Sequence, residues 1–487
     1  MTSVDTLLQA DARTLVVAPL SVIAPFFLVL TCLLLSLRFF PLLLRGAVRL
    51  AERGRGAVGL LVLAYVARAP HRSLRMAMLL SLATAFTLFT LIYNATEQQH
   101  IQDVANYQTG ADFSAQFTAS TTNTQVIEQY SKLPGVLSTS GGYVDRGYGG
   151  RADLAMDIRA VDASSFGPTA VWSSPQTQTT GQALLAQQIA QRHLALSSDQ
   201  IPAIVDQTTL QTLLLKVGST FTITVNNTFP QTMRYLIIGV VDHIPTVNPL
   251  NHTVTTGGVL VDYQTYLAVF KQDLTHNQFA SQTAAGPGLN QVWLRTKSDA
   301  VSLAKLRETL NQPALHLANI VDRYLLLATL QSDPLYLILL GALIIETLTA
   351  LLLAFAISIV GSWVDARSRI VNFAALRALG ATLRQISLIF FCEQALVYVT
   401  GLLLGVGMGA LLVAVVLPQL TFTTINANLT SQQIFALQSV LETRVVLPPS
   451  LLLALLILAA TCGQALMAMV RIVVRPVISQ ALRLNND

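Results

Sequence analysis

The chain has 487 residues, of which 53% are hydrophobic and only 11% charged, against about a quarter charged in ordinary soluble domains. The apolar residues form runs long enough to cross a hydrocarbon core, which takes about 20 residues per helix. This composition excludes an ordinary soluble enzyme and predicts an α-helical protein that spans a membrane several times. The formal net charge is +5, and its distribution along the chain decides whether it indicates nucleic-acid binding.

Five apolar runs are predicted to be membrane helices, because backbone polar groups in lipid must be satisfied within their own segment. The first run lies too far into the chain and is too long for a secretory signal, so we expect it to be a true span. The predicted spans are Leu15–Leu37, Leu74–Tyr93, Leu335–Val360, Ile386–Leu417 and Leu451–Val470.

Arginine placement predicts the orientation of these spans, since short cytoplasmic loops carry an excess of Lys and Arg. Seven arginines and one acidic residue, Glu52, lie between the first two spans, and an eighth arginine, Arg75, lies at the start of the second span; four more arginines lie between the third and fourth spans and three in the C-terminal tail. These regions are predicted to be cytoplasmic. The predicted segments are 1–14 (external N-terminus), 15–43 (first span), 44–73 (cytoplasmic amphipathic segment), 74–95 (second span), 96–333 (external α+β domain with stalks), 334–362 (third span), 363–385 (cytoplasmic loop), 386–418 (fourth span), 419–447 (external loop), 448–471 (fifth span) and 472–487 (cytoplasmic tail).

The segment from Glu97 to Asp333 has the composition of a soluble domain, with 13 basic and 17 acidic residues. Because this large segment is net acidic, the positive charge of the chain is a topological signal and gives no support to nucleic-acid binding. The three cysteines, Cys32, Cys392 and Cys462, all lie in apolar runs. The external domain is therefore predicted to fold on its own core without disulfides.

Strand and helix patterns mix in this domain without a strict βαβ repeat, which predicts an α+β fold. The stretch Ser164–Thr180 is rich in Ser, Thr, Pro and Gln and is predicted to be a mobile loop between two subdomains. Helical patterns at Ala95–Tyr107 and Ile320–Leu330 continue the second and third spans, either as rigid stalks or as solvated helix ends. The predicted strands are Tyr143–Arg146, Ala155–Val161, Phe221–Val225, Met233–Val241, Val259–Val261 and Gln291–Arg295, and the predicted helices are Thr124–Lys132, Gly181–His193, Tyr263–Lys271 and Asp299–Leu310.

The common catalytic and nucleotide-binding motifs do not occur in the sequence. It has no GxxxxGK[ST] phosphate loop, no HExxH and no GxSxG, so nucleotide binding by the phosphate-loop route is excluded. Asp242, His243 and His252 are candidate metal ligands, but their spacing fits no standard site, and solvated strand-end residues are the better interpretation. The sequence predicts a non-catalytic chain without a metal or a cofactor.

Two acidic residues lie within predicted spans, Glu346 in the third and Glu393 in the fourth. Ionisable residues in a membrane are costly and often functional, so these two would suit an ion relay in a secondary transporter. A structural role against neighbouring helices or bound water is at least as good an interpretation. The inverted repeats of secondary transporters are not visible in the sequence.

The fourth span carries glycines at intervals of four, Gly401, Gly405 and Gly409. Such a row gives a flat helix face that another helix can approach closely. The row predicts close helix packing without identifying the partner helix. Leu412, further along the same span, is predicted to face lipid.

The loop between the third and fourth spans is predicted to contain a short amphipathic helix, Ser368–Leu379. Gly380 would end it in a left-handed conformation, and Thr382 with Gln385 would start the next helix as a capping box. Its apolar stripe and its arginines suit either a docking contact or an interfacial helix on lipid phosphates. The residues predicted to make the docking contact are Arg367, Arg369, Asn372, Phe373, Leu376, Arg377 and Gly380.

This loop and the helix after it resemble the FtsX-like permease family, whose signature is R-x-x-E-[IF]-A-x-L-R-A-[LV]-G-A followed by F-x-x-E-A and spaced glycines. Asn372 stands where the family has an acidic residue, which removes a charge from the presumed contact. The resemblance runs from about Gly56 onward and is most specific at 367–409. The matching residues are Phe373, Ala374, Leu376, Arg377, Ala378, Leu379, Gly380, Ala381, Glu393 and Ala395.

The resemblance implies a permease subunit of an ABC transporter in a bacterial cell membrane, with ATP bound by a separate cytoplasmic ATPase. Ser368–Leu379 would be the coupling helix, and ATP-driven motion would reach the external domain through the stalks, as in macrolide exporters and lipoprotein-release permeases. The first span lies outside the four-span core, so the chain resembles the C-terminal half of a ten-span member. Its second permease subunit would be a first-half protein or another copy of itself.

Three alternatives remain open at the level of sequence. One is a regulator within the same family that uses the motion to activate a cell-wall hydrolase or a sensor kinase. The second is the ion-coupled secondary transporter that would use Glu346 and Glu393. The third is a membrane-anchored external enzyme, which the missing catalytic motifs disfavour.

Overall fold

The structure is a computed structural model, and its described residues form two compact units. Among the described residues, the helical unit comprises those within 1–97, 334–422 and 444–487, and the sheet unit comprises those within 98–333. The described residues are 27, 31, 70–121, 125–149, 154–172, 174–226, 230–247, 257–276, 287–368, 382–417 and 444–483.

The helices and strands are numbered in chain order. The α-helices are α1 (Pro70–Thr109), α2 (Gln125–Ser131), α3 (Ala163–Thr169), α4 (Pro175–Ala190), α5 (Arg192–Ser198), α6 (Gln207–Leu213), α7 (Tyr263–His276), α8 (Ala300–Leu310), α9 (Arg323–Gln331), α10 (Pro334–Ser368), α11 (Leu383–Val415) and α12 (Ser450–Arg483). The strands are β1 (Phe113–Thr121), β2 (Val136–Gly149), β3 (Leu154–Val161), β4 (Ile201–Asp206), β5 (Thr220–Asn226), β6 (Pro230–Val241), β7 (Gly258–Asp262), β8 (Leu289–Thr296) and β9 (Leu317–Asp322).

Three helices in the described part of the chain are long and apolar enough to cross a membrane. They are α1 and α10, which contain the second and third predicted spans, and α11, which contains the fourth predicted span up to Val415. The fifth predicted span falls in α12, whose described apolar stretch is shorter, and the first lies outside the described residues apart from 27 and 31. The apolar stretches are Met76–Thr109, Tyr336–Ala356, Phe391–Val415 and the shorter Ser450–Gln464.

Helix α1 is the most buried of these candidate spans. About two thirds of its most apolar window is buried (67%), against 44% for α11 and 17% for α10. Phe89 and Ile92 of α1 pack with Leu343 of α10 and with Leu412 of α11 in one apolar cluster. The prediction that Leu412 faces lipid is therefore wrong, since this side chain is only 3% exposed.

The sheet unit contains one mixed sheet whose described strands follow the order β3-β7-β4-β6-β5-β2-β8-β1-β9. Strand β2 pairs with β3 as well as with β5, so β3, β7, β4, β6, β5 and β2 close into a six-stranded barrel. The first half of β2, Val136–Gly142, pairs with β8, and its second half, Gly142–Gly149, pairs with β3. A single long strand therefore belongs both to the barrel and to a four-stranded sheet made with β8, β1 and β9.

Alternate residues of the barrel strands are buried in one apolar cluster, as the two-residue period of a strand requires. On β3 these residues are Met156, Ile158 and Ala160. A separate cluster, which includes Phe113 and Leu306, lies between the four-stranded sheet and helix α8. The sheet unit thus has its own cores, as its soluble composition predicts.

The predicted strands and helices of this unit all overlap observed elements, but the interpretation of Ser164–Thr180 as a loop is wrong. Residues 164–169 belong to α3 and residues 175–180 to α4, because polar side chains cap both helices. Asp162 accepts a hydrogen bond from the amide of Ser164 at 3.2 Å, and Ser174 accepts one from the amide of Thr177 at 3.1 Å.

Strands β1, β4 and β9 were missed by the sequence patterns. Residues 320–322 belong to β9 and not to a helix, so the predicted stalk Ile320–Leu330 begins only at Arg323. The reason is Asp322, which ends the strand and caps α9 by accepting hydrogen bonds from the amides of Tyr324, at 2.8 Å, and Leu325, at 3.2 Å.

Candidate functional site

The predicted coupling segment falls in a part of the chain that the structure does not describe. Helix α10 continues past the predicted end of the third span to Ser368, and α11 begins at Leu383. Arg367 lies in the last turn of α10. The other predicted contact residues lie in 369–381, outside the described residues: Arg369, Asn372, Phe373, Leu376, Arg377 and Gly380.

The row of glycines on α11 faces helix α1 within the helical unit. A Cβ atom added to Gly405 would lie 2.5 Å from the Cβ of Thr84 and 2.8 Å from the carbonyl oxygen of Ser81. Both distances are too short for real carbon atoms, so the two helices can approach this closely only because position 405 has no side chain.

The same contact continues one turn away on each side. A Cβ atom on Gly401 would lie 2.9 Å from the carbonyl oxygen of Ala77, and one on Gly409 would lie 3.1 Å from the Cβ of Leu88. Gly407 belongs to the same helix but has no atom within 4 Å of an added Cβ. The close contact is thus specific to the row with a period of four.

Hydroxyl and amide groups join α1 to α10 in the same unit. The hydroxyl groups of Thr90 and Thr347 lie 2.8 Å apart, and the hydroxyl of Tyr336 donates to Oδ1 of Asn94 at 3.0 Å. Hydrogen bonds between helices in an apolar environment each contribute about 0.6 to 2 kcal/mol. They add directional contacts to the apolar packing of α1, and no local sequence pattern pairs them.

The two glutamates of the predicted third and fourth spans lie in different surroundings. Glu393 of α11 is 3% exposed, whereas Glu346 of α10 is exposed. The described residues therefore do not place both carboxyl groups on one buried path, which an ion relay would need.

The end of α1 and helix α9 pack together within the sheet unit. The last three turns of α1 pack against α9 through Ile101, Val104 and Ala105 on one side and Leu327 and Leu330 on the other. Both predicted stalk segments thus contribute to one apolar contact. Because apolar burial stabilises each helix against the other, these are packed helices and not merely solvated helix ends.

Arg323, the first residue of α9, fixes this helix pair to the sheet. Its Nε donates to Oδ1 of Asn106 on α1 at 2.6 Å, and its Nη1 lies 3.3 Å from Oδ1 of Asp112. Asp112 also accepts a hydrogen bond from the amide of Thr296 on β8 at 2.9 Å. No local sequence pattern pairs these residues, since Arg323 lies 217 residues after Asn106 and 211 residues after Asp112.

Asp242 and His243 take part in packing of the sheet unit. The carboxylate of Asp242 accepts a hydrogen bond from the hydroxyl of Thr177 at 3.1 Å, and the ring of His243 meets the ring of Tyr107 edge-on at 5.8 Å. His252 lies outside the described residues. Over the described ranges no cluster of three or more His, Cys, Asp or Glu side chains could hold a metal ion.

Comparison with known proteins gives one family match. The family described as FtsX-like permease C-terminal matches residues 337–476, a range that includes the segment 369–381 and the glycine row. No curated protein matches the chain.

Two solved structures are similar to part of the chain. The periplasmic region of MacB from Actinobacillus actinomycetemcomitans is 11% identical, covering 46% of this chain and 94% of that one with a TM-score of 0.25. The extracellular domain of the noncanonic ABC-type transporter YknZ from Gram-positive bacteria is 9% identical, covering 40% and 88% with a TM-score of 0.21. Both TM-scores are below 0.5, so neither structure supports an argument about this chain. The fold of the sheet unit is described by its own strand order.

The family match and the sequence signature agree on the same residues. The signature at 373–381, the acidic Glu393 and the glycines of α11 all lie inside the matched range. Residues 337–476 thus match the C-terminal part of the FtsX-like permeases, the family that the loop sequence resembles.

Proposed function

We propose that the chain is the membrane subunit of an ABC transporter and that a separate cytoplasmic ATPase drives it. The observation that carries this proposal is the family match over 337–476. The absence of a phosphate loop from the sequence agrees with ATP binding in another chain. The proposed docking site is the predicted coupling helix Ser368–Leu379 with the flanking Arg367 and Gly380, and Leu376 and Arg377 are its central contacts.

The proposed topology has five spans, with the arginine-rich loops in the cytoplasm of a bacterial cell and the sheet unit outside the cell membrane. Three candidate spans in the described residues support it, as does the clustering of arginines. The first and fifth spans are part of the proposal.

In this proposal, α1 and α9 carry motion to the sheet unit. Helix α1 contributes residues up to Glu97 to the helical unit and residues from Gln98 to the sheet unit. The contacts of Arg323 and the apolar contact with α9 would make this end of α1 move with the sheet. The same motion would serve export of a substrate or activation of a cell-wall hydrolase or sensor kinase.

A second permease subunit is proposed to cover part of the helical unit. Several apolar side chains of α10 are more than half exposed, among them Ile345, Leu352 and Phe355. In a membrane such a face meets lipid or another helix. We propose that the partner is a second copy of this chain or a protein that resembles the first half of a ten-span permease.

Purification of the tagged chain from its native membranes in a mild detergent tests the proposed function. We expect a phosphate-loop ATPase to co-purify and the complex to hydrolyse ATP. A chain that purifies without any such ATPase, while remaining folded and membrane-extracted, would contradict the proposal.

A further inference from the structure

The last turn of α1 contacts a loop of the barrel, residues 243–247, within the sheet unit. The amide of Thr246 donates a hydrogen bond to the carbonyl oxygen of Tyr107 at 2.9 Å. Gly110, just after the helix, has a φ of 67° and lies so close to the loop that an added Cβ would come 2.5 Å from Cγ2 of Thr246. The helix end is thus held by a backbone hydrogen bond and by close packing.

Arg159 on β3 holds the same loop from the barrel side. Its Nε donates to Oγ1 of Thr246 at 3.2 Å, and its Nη2 donates to the carbonyl oxygen of Thr246 at 2.5 Å. The remaining donor, Nη1, bonds the carbonyl oxygen of Ile158 at 3.2 Å. The side chain is only 8% exposed, and hydrogen bonds in such surroundings are stronger than in water.

Asp157 does not by itself explain why an arginine is buried here. Arg146 already lies 3.0 Å from Oδ1 of Asp157, whereas Nη2 of Arg159 lies 3.6 Å from Oδ2. The shorter contacts of Arg159 are those with Thr246. Arg159 is therefore placed mainly to bind loop 243–247 and only secondarily to pair with Asp157.

The backbone of Thr246 gives a second, independent observation. Its φ is 64°, a left-handed conformation that is uncommon for a β-branched residue. Strained residues of this kind persist where their surroundings hold them, and they concentrate at functional positions. Here the contacts that hold Thr246 are the hydrogen bonds to Arg159 on one side and to Tyr107 on the other.

We propose that Arg159 is the positioning residue that couples the end of α1 to the barrel through Thr246. The inference rests on the proposed function, in which α1 carries motion from the ATPase. When the helix end moves, the chain of bonds from Tyr107 through Thr246 to Arg159 makes β3 and the barrel follow. Without Arg159, loop 243–247 would move relative to β3, and motion of the helix end would no longer be transmitted to the barrel.

The test compares Arg159→Met with Arg146→Met in the full chain, purified with its ATPase. Both variants remove one arginine from Asp157 and leave the other in place, but only the first removes the donors to Thr246. Hydrogen exchange without nucleotide is measured on peptides that cover 243–247. Exchange there should rise about tenfold in Arg159→Met and stay near wild type in Arg146→Met. Equal exchange in the two variants would overturn the inference.

The second measurement adds ATP with magnesium. In the wild type, we expect a nucleotide-dependent change of exchange in peptides of the barrel strands. Arg159→Met should lose this change while ATPase binding and turnover persist, and Arg146→Met should keep it. A barrel response that persists in Arg159→Met would also overturn the inference.

Two further outcomes are decided in advance. Strand β8 lies outside the barrel, so faster exchange there in Arg159→Met would indicate a general loss of stability. In that case Arg159→Lys is used in place of Arg159→Met, since lysine keeps the charge near Asp157 but lacks the forked donors. Faster exchange confined to 243–247 is then expected, and wild-type exchange there would contradict the inference. If the wild type shows no response to ATP, the proposed function fails, whereas the measurement without nucleotide still judges Arg159 as an anchor of the loop.

Discussion

Gly405 of α11 lies directly against Thr84 of α1: a Cβ atom added at position 405 would lie 2.5 Å from the Cβ of Thr84. Leucine at this position would force the two helices apart, because the nearest atoms are the Cβ of Thr84 and the backbone carbonyl oxygen of Ser81, which cannot move without moving α1. Overpacking of this kind costs about 1 to 3 kcal/mol. We expect Gly405→Leu to lower the midpoint of thermal unfolding of the detergent-solubilised protein.

The matched control is Gly407→Leu, two residues further along the same helix. Position 407 has no atom within 4 Å of an added Cβ, so leucine there should leave the unfolding midpoint nearly unchanged. Similar losses in both variants would mean that leucine disturbs the helix itself and that the row has no special packing role.

Arg323 is expected to stabilise the packing of α9 and the end of α1 against the sheet. Replacing it with methionine removes the donors to Asn106 and leaves Asp112 without its cation. Since Arg323 is 19% and Asp112 6% exposed, we expect a loss of about 1 to 3 kcal/mol. Hydrogen exchange should rise in peptides of α9 and of residues 98–109.

Arg307→Met is the control for this prediction. Arg307 pairs with Asp322 near the same helix start, but its side chain is 42% exposed, and exposed ion pairs contribute at most about 1 kcal/mol. Asp322 would keep its capping bonds to α9. Faster exchange in α9 with Arg307→Met than with Arg323→Met would contradict the assignment.

How far the sequence predicts the structure depends on the range of each interaction. The glycine row is visible because its members are four residues apart on one helix, whereas the contact of Arg323 with Asp112 joins distant segments. The sharing of strand β2 between the barrel and the four-stranded sheet cannot be predicted from local sequence either, since its first half pairs with β8 and its second half with β3. The loop prediction for Ser164–Thr180 is wrong because composition does not distinguish polar residues that cap helices from polar residues in loops.

Asp206 is expected to make the stability of the barrel depend on pH. It accepts hydrogen bonds from the amides of Thr209 at 2.7 Å and Gly258 at 2.8 Å. Burial is the main reason that the pKa of its carboxyl is raised to about 6, and the negative charge of Asp157 adds to the effect. The folded protein therefore holds this proton more tightly than the unfolded chain, whose carboxyl has a pKa of about 3.9.

The sign follows from this difference. The stabilisation is fully present below about pH 4 and is lost as the pH rises through about 6, by about 3 kcal/mol in total. Hydrogen exchange of β4 and β7, corrected for its intrinsic pH dependence, should indicate lower stability at pH 7 than at pH 5. Asp206→Asn should remove this difference. An unchanged difference in that variant would assign it to other groups.

The most direct test of the ABC permease assignment is the effect of Leu376→Asp on the partner ATPase. A charge at a position that should bury apolar surface costs on the order of 2 kcal/mol or more, which weakens binding by about thirtyfold. Arg377→Glu tests the charged side of the same contact. We expect both variants to insert in the membrane at wild-type levels and to lose ATPase association and stimulation. Normal ATPase binding and stimulation with both variants would contradict the proposal that this segment is the coupling helix of a permease subunit.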